Sequence, residues 1–518
     1  MINLRRNFIG SYVSQIYVTV VGIVMVPLYM KYMGAEAYGL VGFFSMVQAW
    51  FNVLDLGLTP TIARESARYF GGALAKEDYL RLFRALNLIF FIVALVGGGL
   101  LVMLAPLVAE RWLHVRELHI REVTTAVQVM GLSVALRWLT GLYRGVITGA
   151  ERLVWLSLCN AIVASLRFAA VFVSMAVWGF TPKVFFLHQL SIAVLELIIL
   201  YLEVVSLLPK NVSQNQGIFW SFTPVAPLLR FSLTIALTSL VWVLVTQTDK
   251  LILSGILSLS DYGVFTLSVL LASGITLVTG PITTVLLPRL ARLYAEGKHD
   301  DMIQLYQDFG QLVGVVAISL TVTLVCGADS FLFAWTGDRN LAHSAAPILR
   351  LYAVGNGLMA LSAFPFYLQY ARGDLRYHLI GNIGLVILLI PAIFIAASHA
   401  GAIGAGWVWV GINLLYLFGW VAFVHGRLKA GIHLTWIRSS FLNIFLPVFT
   451  VAVLMRSLWH EGGQSGRLES FYWVVLMGAI VMVAAGMASP LCREFFLRSE
   501  YLAWMSRIQG FKGDSNPK

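Results

Sequence analysis

Three arginines stand inside sequence that is otherwise apolar: Arg137 and Arg144 in the stretch 123–148, and Arg167 midway along the stretch 153–178. Arg137 and Arg144 are seven residues apart, about two helical turns, so on a helix they share one face. A guanidinium is always charged, and its planar fork matches the oxygens of a phosphate. Three of them in one helical hairpin, with only Glu151 at the turn, would be costly in lipid, where a single central charge costs at least ~2.5–3.5 kcal/mol. The arrangement points to an aqueous cavity for an anionic, phosphate-bearing ligand. A structural reading competes with it. Arg144 lies within about a turn of the end of its stretch and could snorkel, while Arg137 and Arg167 could pair with Glu196 of the following stretch as a buried bridge.

Other charges inside apolar stretches are weighed in the same way. Thr246-Gln247-Thr248-Asp249-Lys250 is an unusually polar run. Adjacent residues point about 100° apart on a helix, so Asp249 and Lys250 are not expected simply to neutralise each other. Asp249 could bind a coupling cation or proton and Lys250 could face a substrate, or each could pair with a neighbouring helix. Asp55, in Asn52-Val53-Leu54-Asp55-Leu56-Gly57, reads better as a local hydrogen-bonder or cap than as a transport residue. Arg350, near the end of its stretch, could snorkel or offer an exit-side phosphate contact. Catalytic and nucleotide-binding constellations are absent from the sequence: there is no phosphate-cradling Gly-rich loop with Lys-Ser/Thr, no HExxH, no CxxC pair and no nucleophile elbow. Cys159, Cys326 and Cys492 are scattered and form neither a disulfide framework nor a metal-ligand spacing. No metal, cofactor or catalytic residue is expected.

The elements that must hold these residues are membrane helices. The chain has 518 residues, of which 59% are hydrophobic and 12% charged; a soluble domain carries roughly 25% charged residues. Apolar runs of roughly 20 residues span a bilayer as helices, whereas barrel strands are roughly half as long and alternate. About fourteen such runs can be placed, from 8–30 to 471–488, the first as an uncleaved helix. The net charge of +11 does not point to nucleic acid, because Lys and Arg sit in the short connections between runs and form no basic stripe. Alternate connections carry most of them, among them Arg64, Arg68, Lys76 and Arg81, then Arg289, Arg292 and Lys298, then Arg427, Lys429 and Arg438. That asymmetry puts both termini in the cytoplasm.

The chain also repeats. Tyr38-Gly39 and Tyr262-Gly263, Trp112 and Trp335, and Gly149 and Gly373 stand at an offset of about 223–224 residues, each at the same point of the helix count. Six helices per unit give two lobes of like orientation around a central cavity. The expected organisation is an all-α membrane protein with an N-lobe at 1–209, a polar cytoplasmic linker at 210–225, a C-lobe at 226–430, two appended helices at 431–492 and a cytoplasmic tail at 493–518. The charges do not repeat: Arg137 and Arg144 map to Ala360 and Tyr367. The segment 61–79 should begin as a short amphipathic linker helix at the membrane surface, and 288–301 has the same look.

Several of these residues form a recognisable set. Val26-Pro27-Leu28-Tyr29, Gly34-Ala35-Glu36-Ala37-Tyr38-Gly39, Asp55-Leu56-Gly57-Leu58 and Ala63-Arg64-Glu65, followed by Asp249-Lys250-Leu251-Ile252-Leu253 and Asp261-Tyr262-Gly263, resemble the polysaccharide-transporter (Wzx-like oligosaccharide flippase) family of the multidrug/oligosaccharidyl-lipid/polysaccharide exporter superfamily. The resemblance covers roughly residues 1–430. It implies a V-shaped, two-lobed, alternating-access protein that moves a lipid-linked oligosaccharide, usually on undecaprenyl diphosphate, from the cytoplasmic to the outer leaflet of the cell membrane. It also implies surface-polysaccharide polymerase and chain-length machinery as partners. Family cavities are commonly cationic, whereas the drug-exporting branch uses acidic cavity residues.

The expected site is therefore a cationic cavity of Arg137, Arg144, Arg167, Lys250 and Arg350, with Asp249, Glu196 and Asp55 as ion-coupling candidates. A cation-coupled drug or metabolite exporter and a polytopic glycosyltransferase or polymerase are the rivals. The second would need acidic residues in sizeable loops, and the loops here are short.

Overall fold

The computed structural model describes residues 4–209, 226–429, 431–458 and 466–493. The expected linker at 210–225 and nearly all of the tail at 493–518 lie outside them. The described chain is helical, and its single isolated β-bridge joins His114 to Ser258. In lipid a helix satisfies its own backbone polar groups, so an apolar chain of this composition has little other choice. The first half runs α1 (Leu4–Phe51), α2 (Leu58–Phe70), α3 (Lys76–Leu107), α4 (Ile120–Gly149), α5 (Leu153–Ala164), α6 (Val171–Trp178), α7 (Pro182–Leu207), α8 (Ala226–Ser254) and α9 (Leu259–Ala295). The second runs α10 (His299–Cys326), α11 (Ala328–Thr336), α12 (Arg339–Ser362), α13 (Phe364–Ala371), α14 (Arg376–Leu415), α15 (Val421–Leu428), α16 (Ile432–Ile437), α17 (Asn443–Leu458) and α18 (Arg467–Ala488).

Among the described residues, 11 helical stretches are long and apolar enough to cross a membrane. They leave rows of large apolar side chains uncovered, such as Val13, Ile16, Val20 and Val24 along α1 and Leu95, Leu100 and Met103 along α3. Water would not tolerate apolar faces of this extent, and a bilayer supplies their solvent. Two stretches are interrupted. Gly34, at φ 86°, breaks α1, and Ala400-Gly401, with Gly401 at φ 55°, breaks α14; only glycine takes such angles without strain.

By packing, the described chain divides into two units. One takes the chain up to Leu267 together with Ile393–Ala402, and the other takes Ser268–Ala392 and the chain from Ile403 onward.

The first unit is organised around α4, against which α2, α3 and α7 pack. Its contact with α2 depends on small residues at every fourth position. A side chain on Gly145 would meet Ile62 Cγ2 at 2.5 Å and the Thr59 carbonyl at 2.9 Å, and Gly141 faces Thr59 Oγ1 at 3.0 Å. Without a hydrophobic force between helices in lipid, such small-residue stripes let backbones meet closely. Gly145→Leu should therefore push α2 off α4 at a cost of about 1–3 kcal/mol, seen as a lower thermal midpoint in detergent, with Gly145→Ala milder. α2 itself matches the expected linker helix, beginning slightly earlier and burying Ile62, Glu65 and Ser66. The segment 288–301 differs from its expected counterpart. α9 continues through Pro288 to Ala295, and a short turn leads directly into α10, because Leu290 and Leu293 are buried along the same helix.

Candidate functional site

Three helices of the first unit each carry a polar pair at a spacing of seven: Arg137 and Arg144 on α4, Asn160 and Arg167 along α5 and the π-helical turn that follows it (Ser165–Ala169), and Gln189 and Glu196 on α7. Two turns, about 10.5 Å, separate the members of each pair. α7 is started by Thr181, whose hydroxyl accepts from the Val184 amide, with Pro182 as its first residue. With α4 and α7 packed together, their pairs meet in two rungs.

In the first rung the Arg137 guanidinium donates to Gln48 Oε1 at 3.0 Å and to Gln189 Oε1 at 2.7 Å. It also lies over the Phe44 ring, 4.8 Å from the centroid. Gln189 in turn donates to the Arg167 carbonyl at 2.9 Å. In the second rung Glu196 is buried and divides its oxygens between two arginines. Oε1 accepts from Arg144 Nη2, and Oε2 accepts from Arg167 Nη2 at 2.6 Å. Arg144 also donates to Asn160 Oδ1 at 2.5 Å. The structure thus joins all three arginines with Glu196 but reassigns the pairing: Arg144 and Arg167 hold the carboxylate, and Arg137 rests on side-chain amides. Arg144 does not snorkel, because Glu196 stands at its own depth on α7.

Two cavities open on this cluster. One, of about 400 Å³, is walled by Gln48, Asn52, Asp55, Thr59, Arg137 and Trp138 among others. The other, of about 430 Å³, lies against the hydroxyls and amides of α1 and α5, including Ser11, Ser14, Gln15, Ser157 and Asn160. Arg144, Arg167 and Glu196 line both. Arg137 Nε and Arg167 Nε are buried and have no hydrogen-bond partner among the described residues. Such donors are satisfied by water or by a ligand's oxygens. Three guanidiniums against Glu196 and Asp55 leave the walls with an excess of positive charge.

The remaining expected residues are placed differently. Asp55 accepts from the Thr59 hydroxyl at 2.6 Å and from the Thr59 amide at 3.2 Å, tying the start of α2 while facing the first cavity. Lys250 lines neither cavity. Contrary to the expectation that neighbours on a helix point apart, its flexible stem folds back. Nζ reaches Asp249 Oδ1 at 3.6 Å and donates to the Thr246 carbonyl at 2.5 Å. Arg350 belongs to the second unit, where it is held by Asp329 and donates to the Val325 carbonyl at 3.2 Å. Among the described residues no group of three or more His, Cys, Asp or Glu side chains converges as a metal site. The polar residues not anticipated, Gln48, Asn52, Asn160 and Gln189, were visible as periodicity: Gln48, Asn52 and Asp55 follow an i, i+4, i+7 pattern on one helix face.

A family model described as polysaccharide biosynthesis protein matches residues 4–294. The chain is 28% identical over 240 residues to the lipopolysaccharide biosynthesis protein WzxC of Escherichia coli (strain K12), a match spanning 45% of this chain and about half of that protein, 46%. Among solved structures it is similar to the lipid II flippase MurJ in an inward closed conformation, with a TM-score of 0.71 and 12% identity over 94% of this chain and 99% of that one. It is also similar to an inward-facing multidrug resistance transporter of the MATE family, MOP superfamily, with a TM-score of 0.61 and 16% identity over 82% and 96% of the two chains. At such identities the structural likeness concerns the fold. The family match extends over more than half of the sequence, so this chain is a multi-pass membrane protein belonging to the polysaccharide biosynthesis protein family.

Proposed function

We propose that the protein is a flippase: a translocase, not a catalyst, that carries a lipid-linked oligosaccharide from the cytoplasmic to the outer leaflet for surface polysaccharide synthesis. The observation that carries this reading is the cluster of three partly buried arginines on the walls of two polar cavities inside a membrane protein. A lipid diphosphate of the undecaprenyl type offers the oxygens that Arg137, Arg144 and Arg167 would bind. The amides and hydroxyls of Gln48, Asn52, Ser14 and Asn160 suit sugar hydroxyls. The family match and the WzxC and MurJ likenesses agree with this direction. Excess positive charge disfavours the cationic drugs of the exporter rival.

In this reading the chain crosses the membrane fourteen times. α1, with 48 residues, is about 72 Å long, more than twice a hydrocarbon core of ~30 Å, and it breaks at Gly34. The 53-residue stretch Arg376–Leu428 breaks at Ala400-Gly401 and counts twice for the same reason. α4 adds a crossing that its arginines hide from a hydropathy criterion. The lobes are those at 1–209 and 226–430, and 431–492 holds the appended pair. Both termini face the cytoplasm from the inner membrane, and the protein works by alternating access beside polymerase and chain-length machinery. Lys250 and Arg350 are secondary anion contacts, and Asp249 and Asp55 accompany Glu196 as ion-coupling candidates.

Reconstitution with a diphosphate-linked glycolipid tests the proposal. A sugar-modifying enzyme outside the vesicles should reach the glycolipid faster than in protein-free vesicles. If several glycans under imposed ion gradients show no acceleration while a cationic dye is taken up, the protein is an exporter of the other branch.

A further inference from the structure

Glu196 gives each of its two oxygens to a different guanidinium, Arg144 Nη2 and Arg167 Nη2, and lines both cavities together with them. A diphosphate that binds the same two arginines in forked geometry would draw on these nitrogens, and it competes there with the carboxylate for the same positive charge. We propose that Glu196 is a displaceable stand-in for the substrate's phosphates: it neutralises Arg144 and Arg167 while the site is empty, yields them to the diphosphate, and takes up one proton as it is released. This deepens the flippase reading and rests on it.

The proton follows from the surroundings of the released carboxylate. Glu196 is 2% exposed, and a buried carboxylate without its cations is far costlier than a neutral acid. Every group around it has another commitment. Arg144 and Arg167 would be on the ligand. Arg137, which also faces it from α4, is engaged by Gln48 and Gln189 and carries the ligand's remaining charge. Cys159 of α5 is a thiol and offers no positive charge. Asp55, on the α1 side of the first cavity, is itself acidic and held by Thr59. Glu203, two turns further along α7, is taken by Arg152 at 2.6 Å. No bond is made or broken beyond this transfer: one proton passes from water to Glu196 on loading and returns on release. Loading and protonation become one event, and a transmembrane proton difference then acts on the substrate cycle.

The test is calorimetric binding of farnesyl diphosphate to the purified full-length protein in detergent, at one pH in two buffers of different ionisation enthalpy. Wild type should take up close to one proton more per ligand than Glu196→Gln. The variant, lacking the internal competitor, should bind roughly tenfold tighter, the size of about one charge-assisted contact. Glu196→Asp, which keeps the charge but is too short to span both arginines, should bind a fewfold tighter and retain proton uptake. Equal affinity and equal proton uptake in wild type and Glu196→Gln overturn the exchange. So does weaker binding by both variants, or failure of both to remain folded and monodisperse, since Glu196 would then be a scaffold for the arginines. Absence of binding to wild type and to both variants instead overturns the anion-site reading on which the exchange rests.

Discussion

Replacing Arg137 and Arg167 together by alanine should abolish glycolipid flipping in proteoliposomes while leaving a folded protein. In the proposed site each guanidinium would contribute charge-assisted hydrogen bonds of about 1.5–3 kcal/mol to a bound phosphate. Losing two of them lowers occupancy of the loaded state at least about a hundredfold. The pair is chosen because the scaffold survives it. Arg144 remains on Glu196, so the buried carboxylate keeps a cation, and breaking a buried pair outright is what would cost about 3–5 kcal/mol. Removing Arg137 frees only the amide oxygens of Gln48, which borders a cavity, and of the buried Gln189, and water can follow into the space that the guanidinium vacates. The Arg137→Lys change keeps the charge but loses the fork, and should fall between wild type and alanine. Initial rates of outer-leaflet exposure, set against size-exclusion profiles and thermal midpoints, decide the matter. Normal flipping by the double variant removes the arginines from the substrate path and leaves them as structural bridges.

Glu36→Ala should be among the most destabilising single changes outside the site. Glu36 is 2% exposed. Its carboxylate accepts from three consecutive backbone amides, those of Arg116 at 2.6 Å, Glu117 at 2.7 Å and Leu118 at 2.9 Å. The loop it holds is tied on its other side to the turn between α8 and α9. Trp112 Nε1 donates to Ser254 Oγ at 2.9 Å, and the Leu259 amide donates to the His114 carbonyl at 3.0 Å. One side chain thereby fastens the break in α1, the α3–α4 connection and the start of α9. Three charge-assisted bonds, offset in part by water entering the vacated space, amount to about 3 kcal/mol. The expected result is a clear drop in the thermal midpoint in detergent. Glu36→Gln should lose roughly half as much, because its single carbonyl oxygen accepts while its NH₂ opposes the third donor. An unchanged midpoint in the alanine variant would mean that water serves these amides as well as the carboxylate does.

The sequence alone determined the solvent, the helices and the sign of the site. Composition and run length require membrane helices, and an arginine at two turns' spacing from another must share its face, whatever the tertiary structure. The family resemblance is likewise carried by local strings such as Gly34-Ala35-Glu36-Ala37-Tyr38-Gly39, whose order needs no fold to be read. Gln48 and Asn52 were legible by the same periodicity, seven and three residues before Asp55, had uncharged residues been given weight.

Tertiary structure alone decided the partners. Helical spacing fixes the direction of a side chain about its own axis. It says nothing about depth relative to a neighbouring helix, which depends on connections, crossing and close packing such as that of Gly145 on α2. Hence Glu196 faces Arg144 and Arg167 while Arg137 falls to Gln189. Asp249 and Lys250, whose backbones point apart, meet because a lysine stem is long enough to fold back. The sequence supplied three positive charges and one buried acid; only the relative height of α4, α5 and α7 decided which of the three the acid would neutralise and which would rest on amides.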